Sequence, residues 1–188
     1  MTKNLNLIAV LLGILCAAPS PVSQQPGSLY VIDDKTFAAP AASYTVTIPA
    51  GCTHLRFVSS VQTSNSTYAD FLARPNNDSG GSNYTYWLLQ MTTLTGTIST
   101  SGIDGKASGT TSGLFAITDA TLYFGGVAET SQHSWVSTTQ FYWDGVSGAA
   151  METKVGLWSS GAAATSIVYL CTTGNINTGS RIITYGIR

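Results

Sequence analysis

"SYTVTIPAGCTHLRFVSS", residues 43–60, decides how the chain folds. Tyr44, Val46 and Ile48 fall on one face of an extended segment and Thr45 and Thr47 on the other, the two-residue period of a half-buried strand. Pro49-Ala50-Gly51 reads as a turn. Leu55 and Phe57 then resume the alternation opposite His54 and Arg56. Outward from this pair, short β-branched and aromatic runs recur: "LYVID" (29–33), "YADFLAR" (68–74), "NYTYWLLQM" (83–91), "GLFAI" (113–117), "TLYFGG" (121–126), "WVSTTQFYW" (135–143), "ETKVGLW" (152–158), "TSIVYLCT" (165–172) and "RIITYGI" (181–187). Clusters of Gly, Asn, Ser and Thr separate them, and no helical period is sustained after Leu29. The pattern predicts an all-β, antiparallel β-sandwich. Residues 94–113, "LTGTISTSGIDGKASGTTSG", read as the longest connection without a strand, a length common in functional or mobile loops. No repeat or internal linker divides residues 29–188, which read as one domain.

Charged residues are only 9% of the 188-residue chain and the formal net charge is −1, against roughly 25% charged in an average soluble protein. Ser, Thr, Asn and Gly must therefore wet the surface. A nucleic-acid partner needs a basic face, and no Lys/Arg cluster exists to form one. Cys16, Cys52 and Cys171 are widely spaced, with no CxxC. With only His54 and His133 beside them, they offer too few grouped ligands for a structural zinc. Two readings of Cys52 and Cys171 fit: a disulfide, or two buried thiols. No cofactor is expected.

The first 28 residues differ from the rest. "MTKNLNLIAVLLGILCAAPSPVSQQPG" has a basic start, an apolar run from Leu7 to Ala18 and a polar, proline-containing tail. It resembles a secretory signal, but Pro19 would follow a cleavage after Ala18, and the run is short of the ~20 apolar residues of a membrane span. Leu5, Leu7, Ile8, Val10, Leu11, Leu12, Ile14 and Leu15 carry about 1.5–3 kcal/mol each on full burial, about 12–24 kcal/mol as an upper bound. That is comparable with the whole stability of a typical domain. The segment is expected to be retained as an assembly anchor docking into a neighbouring subunit through Leu5, Leu7, Ile8, Leu11, Leu12 and Leu15. A signal peptide is the alternative.

Residues 76–83 gather Asn76, Asn77, Asp78, Ser79, Ser82 and Asn83 around Gly80-Gly81. Calcium needs six to eight oxygen ligands, several of them carboxylates, and this stretch has only Asp78. A structural turn is the leading reading, since Asn and Asp bond back to their own backbone. Sugar contact through Asn77, Asp78, Tyr84, Tyr86 and Trp87 is the functional one. Three matches to the glycosylation sequon, starting at Asn65, Asn77 and Asn83, carry little weight in a chain so rich in Ser, Thr and Asn. No motif positions His54 or His133 as a catalytic base. Asp70, Asp144 and Glu152 could supply a glycosidase pair only if the fold brought two together. No enzyme activity is expected.

Two stretches resemble a pattern found in tailed-bacteriophage virion proteins. "FLARPNNDSGGSNYTYWL" (71–88) shows an Arg-bearing strand, an Asn/Asp/Ser/Gly turn containing "NDSG", then "NY" and an aromatic. "INTGSRIITYGIR" (176–188) shows a closing strand of the form GS-x-I-x-x-YGI with a final basic residue. The resemblance covers about a quarter of the chain. It implies a jelly-roll-like β-sandwich serving as head decoration, spike or fibre, or tail-associated protein. It further implies other virion proteins as partners, a homo-oligomeric state, a virion location and contact with host surface polysaccharide. From a second class comes a secreted carbohydrate-binding module with sugar stacked on Trp87, Trp135, Trp143 or Trp158.

Overall fold

The structure, a computed structural model, describes residues 28–90, 93–123, 133–143, 149–160 and 163–188. The expected anchor residues Leu5 to Leu15 lie outside the described residues. Twelve strands follow one another among the described residues: β1 (Leu29–Thr36), β2 (Ser43–Thr47), β3 (His54–Val61), β4 (Ala69–Pro75), β5 (Tyr84–Gln90), β6 (Thr93–Thr100), β7 (Ile103–Ala107), β8 (Ala116–Tyr123), β9 (His133–Trp143), β10 (Ala149–Trp158), β11 (Ser166–Cys171) and β12 (Arg181–Ile187). No helix among the described residues is long and apolar enough to cross a membrane.

All strand pairs are antiparallel and make two sheets, one ordered β1-β12-β3-β8-β9-β10-β5-β6 and the other β2-β11-β4-β7. Set aside β5, β6, β9 and β10 and the eight strands left alternate between sheets in nested pairs. β1 lies with β12, β2 with β11 and β4 with β7, which is the jelly-roll connection. The four others are two inserted hairpins that lengthen the larger sheet beyond β8. The core between the sheets holds Leu55 and Phe57 of β3, Phe71 and Ala73 of β4, Leu122, Ile167, Tyr169 and Ile182. The Phe71 and Tyr169 rings stack at 5.9 Å, and Phe57 meets Tyr169 edge-on at 5.3 Å.

The alternation of residues 43–60 is realised: Val46, Leu55 and Phe57 are buried, and His54 and Arg56 face outward with partial exposure. The C-terminal run is a central strand, β12, paired with β1 on one side and β3 on the other. Two expectations need correction. "GLFAI" and "TLYFGG" are not separate strands, because Ala116–Tyr123 runs through as β8 and its Thr118 is buried in the sheet. The stretch 94–113 is not a loop but contains β6 and β7.

β7 explains how the hairpins fold over. Ala69, Phe71 and Ala73 of β4 point into the core and pair with Ala107, Gly105 and Ile103. Asp104 and Lys106, alternating with these, therefore lie on the sheet's other face, beside Leu72 and Asp70. That face would be wet in a plain sandwich, yet Leu72 and Asp104 are buried. The lengthened sheet curls round the free edge of β7. A Cβ on Gly105 would meet Thr118 of β8, the Ser137 hydroxyl of β9 donates to the Asp104 carbonyl at 2.9 Å, and Lys154 of β10 reaches the Asp104 carboxylate. A second buried compartment results.

Candidate functional site

The loop after β4 is held by its own side chains. Asn76 and Asn77 adopt positive φ, 52° and 56°, a conformation Asn tolerates better than most residues. The Asp78 carboxylate accepts from the Gly80 N–H at 2.9 Å, the Asn83 amide at 2.9 Å and the Trp158 indole at 2.9 Å. Burial works against its ionisation, but those three donors outweigh it and hold the carboxyl below the usual range. The Tyr84 hydroxyl donates to the Asp78 carbonyl. Asn76 bridges to the start of β11, accepting from the Thr165 N–H and donating to the Ala163 carbonyl. The turn thus ties β4, β5, β10 and β11 together at one end of the second compartment.

This corrects part of the expected sugar contact. Tyr84 and Tyr86 are buried because β5 turns them inward beneath β4 and β7. Asp78 spends its oxygens inside the turn, whereas Asn77 remains exposed. Trp87, at 47% exposure, faces outward. Of the other tryptophans, Trp135 and Trp158 are fully buried and Trp143 ends β9. Cys52 and Cys171 are free thiols, so the disulfide reading does not hold; Cys171 is buried and Cys52 only partly so. Burial raises the Cys171 thiol to about 12.

The compartment's centre is ionic. Lys154 Nζ lies 2.8 Å from Asp104 Oδ2 and 3.0 Å from Glu152 Oε2. Lys154 is 2% exposed, Asp104 and Glu152 4% each. Glu152 and Lys154 are two apart on β10, so both point inward, while Asp104 arrives from β7. The Lys154 ammonium also sits over the Tyr86 ring at 5.4 Å. A second pair, Lys106 with Asp70, extends the network to a partly exposed carboxylate. Burial pushes the Asp104 carboxyl up despite the pull of Lys154 and Lys106. The Lys154 ammonium is destabilised by burial, yet the charges of Asp104 and Glu152 more than restore it. Two buried carboxylates, Asp104 and Glu152, thus face one ammonium.

The residues weighed for catalysis scatter. His54 lies on the outer face with its ring edge-on to Tyr123, and His133 is buried and stacked on Trp158 at 4.9 Å. Asp70 and Glu152 are each engaged by a lysine, and Asp144 lies outside the described residues.

The outer face of the larger sheet is the accessible feature. Val155, 48% exposed, pairs with Trp87 on one side and Val136 on the other. Leu157, next along that face, pairs with Ser134, which pairs with Tyr123. Met151 and Ile117 are also exposed. No protein-family model matches the chain, and no curated protein is significantly similar to it.

Proposed function

We propose that the chain is a non-catalytic structural subunit, a virion component of the head-decoration, fibre or tail-associated kind, which associates with copies of itself through the outer face of its larger sheet. The supporting observation is the apolar stripe of Trp87, Val155 and Val136 with Leu157 and Tyr123 beside it. Contiguous apolar surface of this sort marks an association site more often than chance, and aromatic residues anchor such interfaces. A low charge count suits a surface meant to be covered. The apolar segment around Leu7–Leu15 adds a second docking element for a neighbouring subunit.

The full chain is expected to run as an oligomer in size-exclusion chromatography with light scattering. The double variant Trp87→Ser, Val155→Ser should run as a monomer with an unchanged circular dichroism spectrum. A wild-type monomer at micromolar concentration would overturn the reading. Loss of polysaccharide binding in Trp87→Ser without any change in mass would instead favour the carbohydrate-binding module, for which the exposed Trp87 is the supporting feature.

A further inference from the structure

We propose that Lys154 and Asp104 condense within the folded protein to an amide, an intramolecular isopeptide bond between β10 and β7, with Glu152 relaying the protons. The reactive groups already touch: Lys154 Nζ is 2.8 Å from Asp104 Oδ2, one bond from the carbon it would attack, and 3.0 Å from Glu152 Oε2. All three are nearly completely buried. Groups held in near-attack contact behave as if at about 10⁵–10⁸ M, far above any competing water in a closed interior. Asp104 Oδ1 makes no hydrogen bond among the described residues, a poor arrangement for a carboxylate and a tolerable one for an acid or amide carbonyl.

Charge sets the order of events. An apolar surround favours neutral species, and burial pushes the Asp104 carboxyl toward its neutral form. The Lys154 ammonium passes one proton to Glu152, leaving a free amine, a neutral acid and a neutral Glu152. The Nζ lone pair attacks Asp104 Cγ to form the C–N bond. Glu152 then gives its proton to the departing hydroxyl and takes one from the nitrogen. The C–Oδ2 bond breaks and one water leaves, with no oxidation or reduction. The product amide removes an ammonium and a carboxyl from an interior where an ion pair costs several kcal/mol per ion to desolvate. Lys106 and Asp70 form the contrasting pair. The Asp70 side chain is 41% exposed, so water reaches it and the pair stays ionic.

The readout is mass. Purified full-length chain, folded at neutral pH, is expected to be lighter than its sequence by one water. Trypsin should fail to cut after Lys154 and should release a branched peptide joining that segment to the one containing Asp104. Glu152→Gln and Lys154→Met should both have the sequence mass and no branched peptide, with circular dichroism confirming that they fold. Normal tryptic cleavage after Lys154 in the wild type would overturn the bond. A water loss that persists in Lys154→Met would also overturn it, because the Gly105 N–H can close on Asp104 as a cyclic imide with the same mass. Unimpaired linkage in Glu152→Gln would remove Glu152 from the mechanism.

Discussion

At the scale of single residues, Asp78 ties its turn to the end of a distant strand. Its carboxylate is the acceptor for a backbone N–H, an amide and the buried Trp158 indole. Truncation leaves those donors without a partner, and a buried unsatisfied donor costs about 1–3 kcal/mol. Asp78→Ala should therefore lose about that much in urea denaturation at neutral pH. The native carboxyl titrates below its unfolded value, so its contribution is complete above the unfolded pKa and is lost as pH falls through the native one. The gap between wild type and variant should be smaller in acid, once pH has fallen below the native pKa and both states are protonated, than at neutral pH. An equal gap at both pH values would show that Asp78 acts by packing and not by charge. The turn chemistry was legible in the residues themselves. That Trp158, 80 positions away, was the third donor was not, because no local pattern couples a loop to the end of a distant strand.

Elements reveal why some of the chain reads clearly and some does not. β2, β3 and β12 alternate because one face meets the core and the other meets water, and a period of two survives in the sequence. β7 has no such contrast. Its Asp104 and Lys106 are covered by β10, and "IDGKA" is polar where a buried strand should be apolar. Only pairing with Lys154 and Asp70 makes that burial affordable, and those partners come from other strands. β10 inverts the usual pattern outright: Glu152 and Lys154 face in while Met151 and Val155 face out. Alternation fixed the period of that strand but not which side was the interior. Close approach constrains it further. A Cβ on Gly156 would stand 2.3 Å from the Thr85 carbonyl and 2.6 Å from the Trp135 ring. Overpacking of a core costs typically about 1–3 kcal/mol, and here a backbone atom of the paired strand must move. Gly156→Ala should lose at least that much in chemical denaturation; a variant as stable as the parent would mean β10 lies further from β5 and β9 than described.

Across the whole molecule, the eight jelly-roll strands and the two inserted hairpins have different standing. β12 lies between β1 and β3, and β3 lies between β12 and β8, so their amides are locked from both sides within the sheet that closes the main core. β6 is paired only with β5, and its other edge meets no strand among the described residues. The edge of β7, in contrast, is closed by β9 through Ser137 and by β10 through Lys154. Local opening follows the number of buried contacts and paired edges that must be released. Hydrogen exchange followed by mass spectrometry on the native full chain should therefore show β3 and β12 exchanging slowest, β7 close behind despite its place at a sheet edge, and β6 fastest. β7 is the discriminating element. If it exchanged as quickly as β6, the inserted hairpins would not be clamped over it, and the compartment that holds Asp104, Lys154 and Glu152 would open to water on the same timescale. If it exchanged as slowly as the central strands, and lost that protection in Lys154→Met, the link between the two sheets would be the part of the molecule that makes the hairpins inseparable from the jelly roll.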